Sequence, residues 1–283
     1  MRFAKLHGLG NDFVVIDLRG ALTRWQPDPA WARQICDRHR GVGADGVLTL
    51  LDLPPAERPA LPGALAARLI IHNPDGSRPE MCGNGARCAA LWMATRGCSE
   101  PGRAQVLLET DAGPRPCAVE ASEISRGAVE VGMGPPRLEP ERTFSLRGAS
   151  ALATPVSMGN PHRVFFVDGA ETPWSHESLA ALCAEAGPAL CAAEDANIEF
   201  VRSLGPQRFA AAVWERGAGA TQACGTGACA VAAAAVARGL ARGDEPIVVE
   251  LPGGALTLRM EAGEMKMRGP AELVFRGELA APP

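Results

Sequence analysis

Short apolar runs punctuated by turn-forming residues recur along the whole chain, and runs of that length and spacing read as β-strands. They lie at 3–6, 13–17, 47–51, 68–71, 106–109, 129–133, 164–167, 197–201, 209–214, 247–251, 256–260 and 273–276. Helical spacing is rarer. It predicts helices over 31–38 and 177–186, and two Ala-rich helices that open just after residues 82 and 224. The first Ala-rich helix is expected to stop near Gly97. The second should stop at Arg238-Gly239, a cation followed by glycine, as helix C-termini favour. Segment 54–63 holds four prolines and no period, which predicts a surface loop.

The two Ala-rich helices begin alike. Residues 82–90 read CGNGARCAA and residues 224–231 read CGTGACAV, so each helix follows a cysteine and a Gly-x-Gly. The cysteines lie 142 positions apart in a chain of 283, which predicts two similar halves facing one another with one cysteine from each. Many strands and one long helix per half predict an α+β protein whose sheets each wrap a central helix. The expected boundary falls near residues 125–127, giving halves 1–126 and 127–268.

Composition narrows the function classes. Hydrophobic residues make up 47% and charged residues 21%, as in an ordinary globular chain with a sizeable core of roughly two domains. The net charge of −4 argues against a nucleic-acid partner. The longest apolar run, at 228–237, is too short to span a bilayer, and the first twelve residues carry no targeting pattern. A cytoplasmic protein without a membrane partner is expected. Nine cysteines in such a chain read as free thiols, and neither C-x-x-C nor H-E-x-x-H occurs, so no metal site is predicted. Cys36, Cys183 and Cys191 read as small packed hydrophobes.

Cys82 and Cys224 read differently. Inverting a carbon stereocentre by proton transfer needs a base on one face and an acid on the other. Two like residues from two like halves meet that demand, and a thiol needs only a modest shift to serve as either. The N–H groups at a helix start favour a thiolate and can also hold a substrate carboxylate. Nearby, HNPDGSRPEMC supplies Asn73, WERGAGATQAC supplies Glu215 and Arg216, and SMGNPHRV supplies Asn160 and His162. Asn73 can bind a carboxylate or ammonium group, Glu215 and Arg216 could grip an ammonium and a carboxylate, and His162 is a candidate partner for a thiol. Residues 41–46, GVGADG, match G-x-G-x-x-G, but a predicted helix precedes them and a strand follows, the reverse of a dinucleotide site. The chain has only two lysines, Lys5 beside the first strand and Lys266 in a short turn-rich segment, and neither suits a Schiff base with pyridoxal phosphate. No cofactor is predicted.

The segments KLHGLGNDFVVID (5–17), NPDGSRPEMCGNGARC (73–88), SMGNPH (157–162) and ERGAGATQACGTGACA (215–230) closely resemble the diaminopimelate epimerases, and the likeness runs on to MRGPAELVF (267–275). The resemblance implies two pseudo-symmetric α/β halves, each a mostly antiparallel sheet around a central helix, with the active site in the cleft between them. It also implies that the C-terminal strand, 269–283, returns to the first half. By that likeness Cys82 and Cys224 are acid and base, His162 and Glu215 tune them, and N–H groups of Gly83, Asn84, Gly225 and Thr226 hold the reacting carboxylate. Asn11, Asn73, Asn160, Asn197, Glu215 and Arg216 then recognise the substrate, diaminopimelate, interconverted between its LL and meso forms. A homodimer is implied as well. Gly46 stands where some members have glutamine, and Ala220 where an acidic residue is common. The rival readings are a two-cysteine proline or hydroxyproline racemase, a phenazine-type isomerase without the cysteine pair, and a non-catalytic diamino-acid binding protein.

Overall fold

A computed structural model describes residues 1–22, 25, 27–54, 64–146, 148–167 and 178–279. The chain divides into two compact units. Unit 1 comprises Met1–Val131 and Gly269–Pro283, and unit 2 comprises Gly132–Arg268.

Unit 1 contains β1 (Arg2–Gly8), β2 (Asn11–Asp17), α1 (Pro29–Cys36), β3 (Gly46–Leu51), β4 (Leu65–His72), α2 (Gly83–Thr95), β5 (Arg103–Thr110), β6 (Gly113–Glu123) and the start of β7 (Arg126–Gly134). Neighbouring strands pair in chain order, antiparallel except for β2 with β3 and β4 with β5. The last strand of the chain pairs antiparallel with β1, Arg2 lying opposite Glu278, and also pairs with β7. The strands therefore form a ring, and α2 touches β1 through β6 inside it. This explains why α2 has no polar face. Every residue from Gly83 to Met93 is buried, and a helix covered on all sides is apolar or small except where a polar side chain is paired, as Arg87 is with Asn84 and Pro270 O.

Unit 2 repeats the plan. After β8 (Arg137–Leu138) come β9 (Arg142–Leu146), β10 (Ala149–Ser157), β11 (Pro161–Phe166), α3 (Leu179–Glu194), β12 (Asn197–Gly205), β13 (Arg208–Glu215), β14 (Gly219–Ala220), α4 (Gly225–Ala237), β15 (Ile247–Leu251), β16 (Gly254–Glu261) and β17 (Glu264–Glu278). From β10 onward the pairings run antiparallel, parallel, antiparallel, parallel, antiparallel, antiparallel, the same sequence as from β1 onward. α4 packs on β10 to β13, β15 and β16 and occupies the place that α2 holds in unit 1. The protein is α+β, each unit a mostly antiparallel sheet around one buried helix.

The register of this repeat can be read residue by residue. Phe13 lies opposite Gly46 and Val15 opposite Leu48 in unit 1, while His162 lies opposite Asn197 and Val164 opposite Glu199 in unit 2. Phe13 thus corresponds to His162, Leu48 to Glu199, and Cys82 to Cys224.

Some expectations need correcting. Lys266 lies inside the long strand β17, not in a turn-rich segment. The helix expected to end at 186 continues through Gly187-Pro188 to Glu194, because α3 is held flat on β12 and β13 and a side chain at 187 would strike Trp214 Cβ at 2.7 Å. Strands β6, β9 and β10 were not anticipated. The loop expected at 54–63 lies outside the described residues except for Pro54. No helix among the described residues is long and apolar enough to cross a membrane.

Candidate active site

Cys82 is the N-cap of α2. Its backbone is extended, and its sulfur accepts a hydrogen bond from Gly85 N–H at 3.4 Å. Cys224 caps α4 in the same way, accepting from Gly227 N–H at 3.3 Å. In both units the sulfur takes the place of the usual Ser, Thr or Asp oxygen, so it meets the positive end of a helix. The N–H groups of residues 83–84 and 225–226 belong to the same first turns.

Each cap is tied to the loop that opens the second strand of its unit. In unit 1, Asn84 Nδ2 donates to Asn11 Oδ1 at 3.0 Å, and the buried Arg87 donates to Asn84 Oδ1 at 2.9 Å and to Pro270 O at 3.1 Å. Asn11 Nδ2 donates in turn to Asp45 at 3.0 Å. In unit 2, Asn160 Nδ2 donates to Thr226 Oγ1 at 3.3 Å, and Thr226 Oγ1 lies 3.5 Å from Cys224 Sγ. His162 Nε2 lies 3.0 Å from Asn160 Oδ1, and its Nδ1 lies 2.7 Å from Glu199 Oε1.

Two cysteine-capped helices built on one repeated plan agree with what the comparisons give. The family model for diaminopimelate epimerase matches residues 3–139 and 154–274. A diaminopimelate epimerase of Desulforudis audaxviator is 43% identical, covering 98% of this chain and 99% of its own. One of Acidiphilium cryptum is 41% identical, over 99% and 96%. The chain belongs to the diaminopimelate epimerase family. Among solved structures, a probable proline racemase from Agrobacterium radiobacter covers 100% of this chain and 93% of its own with a TM-score of 0.74 at 16% identity. A hydroxyproline epimerase from Agrobacterium vitis covers 98% and 91% with a TM-score of 0.71 at 17% identity. At such identities the likeness is one of fold.

Within this family frame the electrostatics of the Cys224 cap stand out. Burial raises the Cys224 thiol well above its ordinary range, and the carboxylates of Glu215 and Glu199 push it further, against hydrogen bonds from Thr226 and Gly227. Glu215 is itself raised by burial, while hydrogen bonds from the Thr221 hydroxyl and the Cys224 thiol draw it back down. Burial likewise pushes Cys36 up to about 11 and Cys88, Cys117 and Cys183 up to about 12, so what distinguishes Cys224 is its place at a helix N-cap.

The remaining anticipated residues fall around these caps. Asn73 follows β4 and donates to Ser77 Oγ at 2.9 Å, at the register position that Glu215 holds in unit 2. Asn197 Oδ1 accepts from Arg216 N–H at 2.8 Å, and the Arg216 guanidinium reaches Asp195 at 2.9 Å. Gly46 leaves no room for a side chain, since a Cβ would come 2.8 Å from His72 O. Ala220 pairs with Trp214 in the short strand β14. Glu199 and Arg87 were not anticipated. Both are fully buried, and the one available signal was a lone charge inside an apolar run. No group of three or more His, Cys, Asp or Glu side chains is arranged to hold a metal among the described residues.

Proposed function

We propose that this protein interconverts LL- and meso-2,6-diaminopimelate by moving one α-proton between two thiols. Family membership over nearly the whole chain supports the substrate, and the matched Cys82 and Cys224 caps carry the chemistry. In this reading the two sulfurs address opposite faces of one carbon. A thiolate removes the proton from one face, the electrons shift into the carboxylate, and a thiol returns a proton to the other. No cofactor takes part.

The N–H groups of Gly83, Asn84, Gly225 and Thr226 would hold that carboxylate, where charge grows in the transition state. His162 and Glu215 would set the protonation of the Cys224 side. Asn11, Asn73, Asn160, Asn197, Glu215 and Arg216 would bind the amino and carboxylate groups, chiefly at the unreacting end. A substrate lacking that second amino-acid end would leave such groups unpaired, at about 1–3 kcal/mol for each buried one. This favours diaminopimelate over proline. We place the enzyme in the cytoplasm as a homodimer serving lysine and peptidoglycan synthesis.

The deciding assay incubates reduced protein with LL-diaminopimelate in deuterated water and no cofactor. Meso product carrying α-deuterium is expected. Folded, reduced protein that yields neither would refute the proposal.

A further inference from the structure

The two units offer an internal control that singles out Glu199. In unit 1 the corresponding positions are Phe13 and Leu48, both apolar and buried. In unit 2 they are His162 and Glu199, both with fully buried side chains. The Cβ positions at Gly85 and Gly227 repeat the correspondence: a methyl on Gly85 would meet Leu48 Cδ2 at 2.9 Å, and one on Gly227 would meet Glu199 Oε1 at 2.9 Å. The fold therefore asks only for an apolar pair under the cap. Unit 2 instead buries a carboxylate there, and its second oxygen, Oε2, makes no hydrogen bond among the described residues. Burying such a group costs several kcal/mol unless it is well paired, so packing alone does not account for it.

What the carboxylate does touch is the His162 ring. A carboxylate oxygen 2.7 Å from Nδ1 can only accept, so Nδ1 must carry a hydrogen. Nε2 lies 3.0 Å from Asn160 Oδ1, which likewise only accepts, so that contact is a hydrogen bond only when Nε2 carries a hydrogen as well; the Asn160 amide nitrogen donates to Thr226 Oγ1, which lies beside the Cys224 sulfur. The groups acting on Cys224 are Glu215 from β13, Glu199 from β12, and Thr226 and Gly227 of its own helix, with Asn160 and, on β11, His162 linked to it through Thr226.

We propose that Glu199 is a positioning residue for Cys224. It accepts from the Nδ1–H of His162 and so fixes the ring orientation that aligns Asn160 and Thr226 at the cap. The proposal rests on the epimerase reading above and adds a residue to it. Because the Cys82 side has Leu48 at this place, only one of the two thiols is served in this way.

The test compares wild type with Glu199→Leu, which copies unit 1 and conserves volume, and Glu199→Gln, whose amide oxygen can still accept from Nδ1–H. Nitrogen-15 NMR of the His162 ring reports which ring nitrogens carry a hydrogen without any substrate, and steady-state assays in both directions report kcat and KM. Wild type should show Nδ1–H. Glu199→Leu should lose that signature and about 100-fold in kcat, with KM changed far less, as misplacement of a reacting group entails. Glu199→Gln should keep Nδ1–H and recover most of kcat. Full activity in Glu199→Leu, or equal losses in both variants with the Nδ1–H signature intact, would overturn the proposal. If wild type showed Nδ1–H but did not act on diaminopimelate, the epimerase reading would fail and the Nδ1–H assignment would stand.

Discussion

The close fit between Gly227 and the buried carboxylate can be tested with one methyl group. Gly227→Ala would place a Cβ 2.9 Å from Glu199 Oε1 and 3.3 Å from both Cβ and Sγ of Cys224. Overpacking of this kind costs about 1–3 kcal/mol, and pushing the carboxylate off His162 forfeits a charge-assisted hydrogen bond of about 1.5–3 kcal/mol. Alanine's better helix propensity returns about 1 kcal/mol. The net loss is about 2–5 kcal/mol, which at roughly 2–4 °C per kcal/mol lowers the melting temperature by about 4–20 °C. Gly85→Ala is the matched control. Its Cβ meets only a leucine branch tip, which can turn without breaking a hydrogen bond, so the net loss should be about 0–2 kcal/mol. Thermal unfolding of the two variants side by side, followed by circular dichroism, decides the matter. If Gly227→Ala melts as high as Gly85→Ala, Glu199 is not wedged beneath the cap as described.

Other outcomes follow from the same geometry. Cys82→Ala and Cys224→Ala should each abolish epimerisation while Cys36→Ala leaves it largely intact, read as meso product formed. Iodoacetamide at mildly alkaline pH should label the exposed Cys98 and spare Cys36, Cys88, Cys117 and Cys183, whose thiols burial holds at about 11 to 12; peptide mass spectrometry checks this. Mild oxidation should stop deuterium incorporation and a reductant should restore it, since two thiols that meet at one carbon, as proposed, would also be able to join. Burial alone would raise Asp12, but hydrogen bonds from Arg38 and Lys5 outweigh it and hold the carboxyl at about 2. Its contribution is therefore complete above the ordinary carboxylate pKa of about 4 and is lost as pH falls toward the folded value. Asp12→Asn should cost about 2–4 kcal/mol at neutral pH, a little less than breaking a fully buried pair, and the gap to wild type should narrow between pH 4 and 2 in melting experiments.

The two caps were legible because cysteine followed by Gly-x-Gly and an apolar helix is a local pattern that the chain writes twice. Strands with dense β-branched residues, such as β3 and β12, were legible for the same local reason. β6 was hidden by Pro114 and Pro116, which the sheet tolerates because pairing with β7 begins only at Cys117 and that stretch has a single neighbour. β10 was hidden by its alanines and Pro155, whose strand character comes from neighbours far along the chain. Gly187-Pro188 looked like a helix stop, yet Leu182, Cys183 and Cys191 on either side bury in one core cluster and carry α3 through it. Glu199 escaped notice because alternation along 197–201 suggests a solvent-facing position, whereas all five residues are buried, with sheet neighbours on both sides. Its significance emerges only from the superposed register of the two units.

Strand β17 also bears on how the molecule is made. Its residues 272–278 lie against β1, so β1 leaves the ribosome long before the strand that gives it its second neighbour. Unit 2, continuous from 132 to 268, faces no such wait during synthesis. Pairings that span so much chain form slowly, and until then β1 presents one bare edge of N–H and C=O groups. A nascent chain stalled before residue 269 would therefore carry a ring open at that seam, exposed to strand exchange with a second copy.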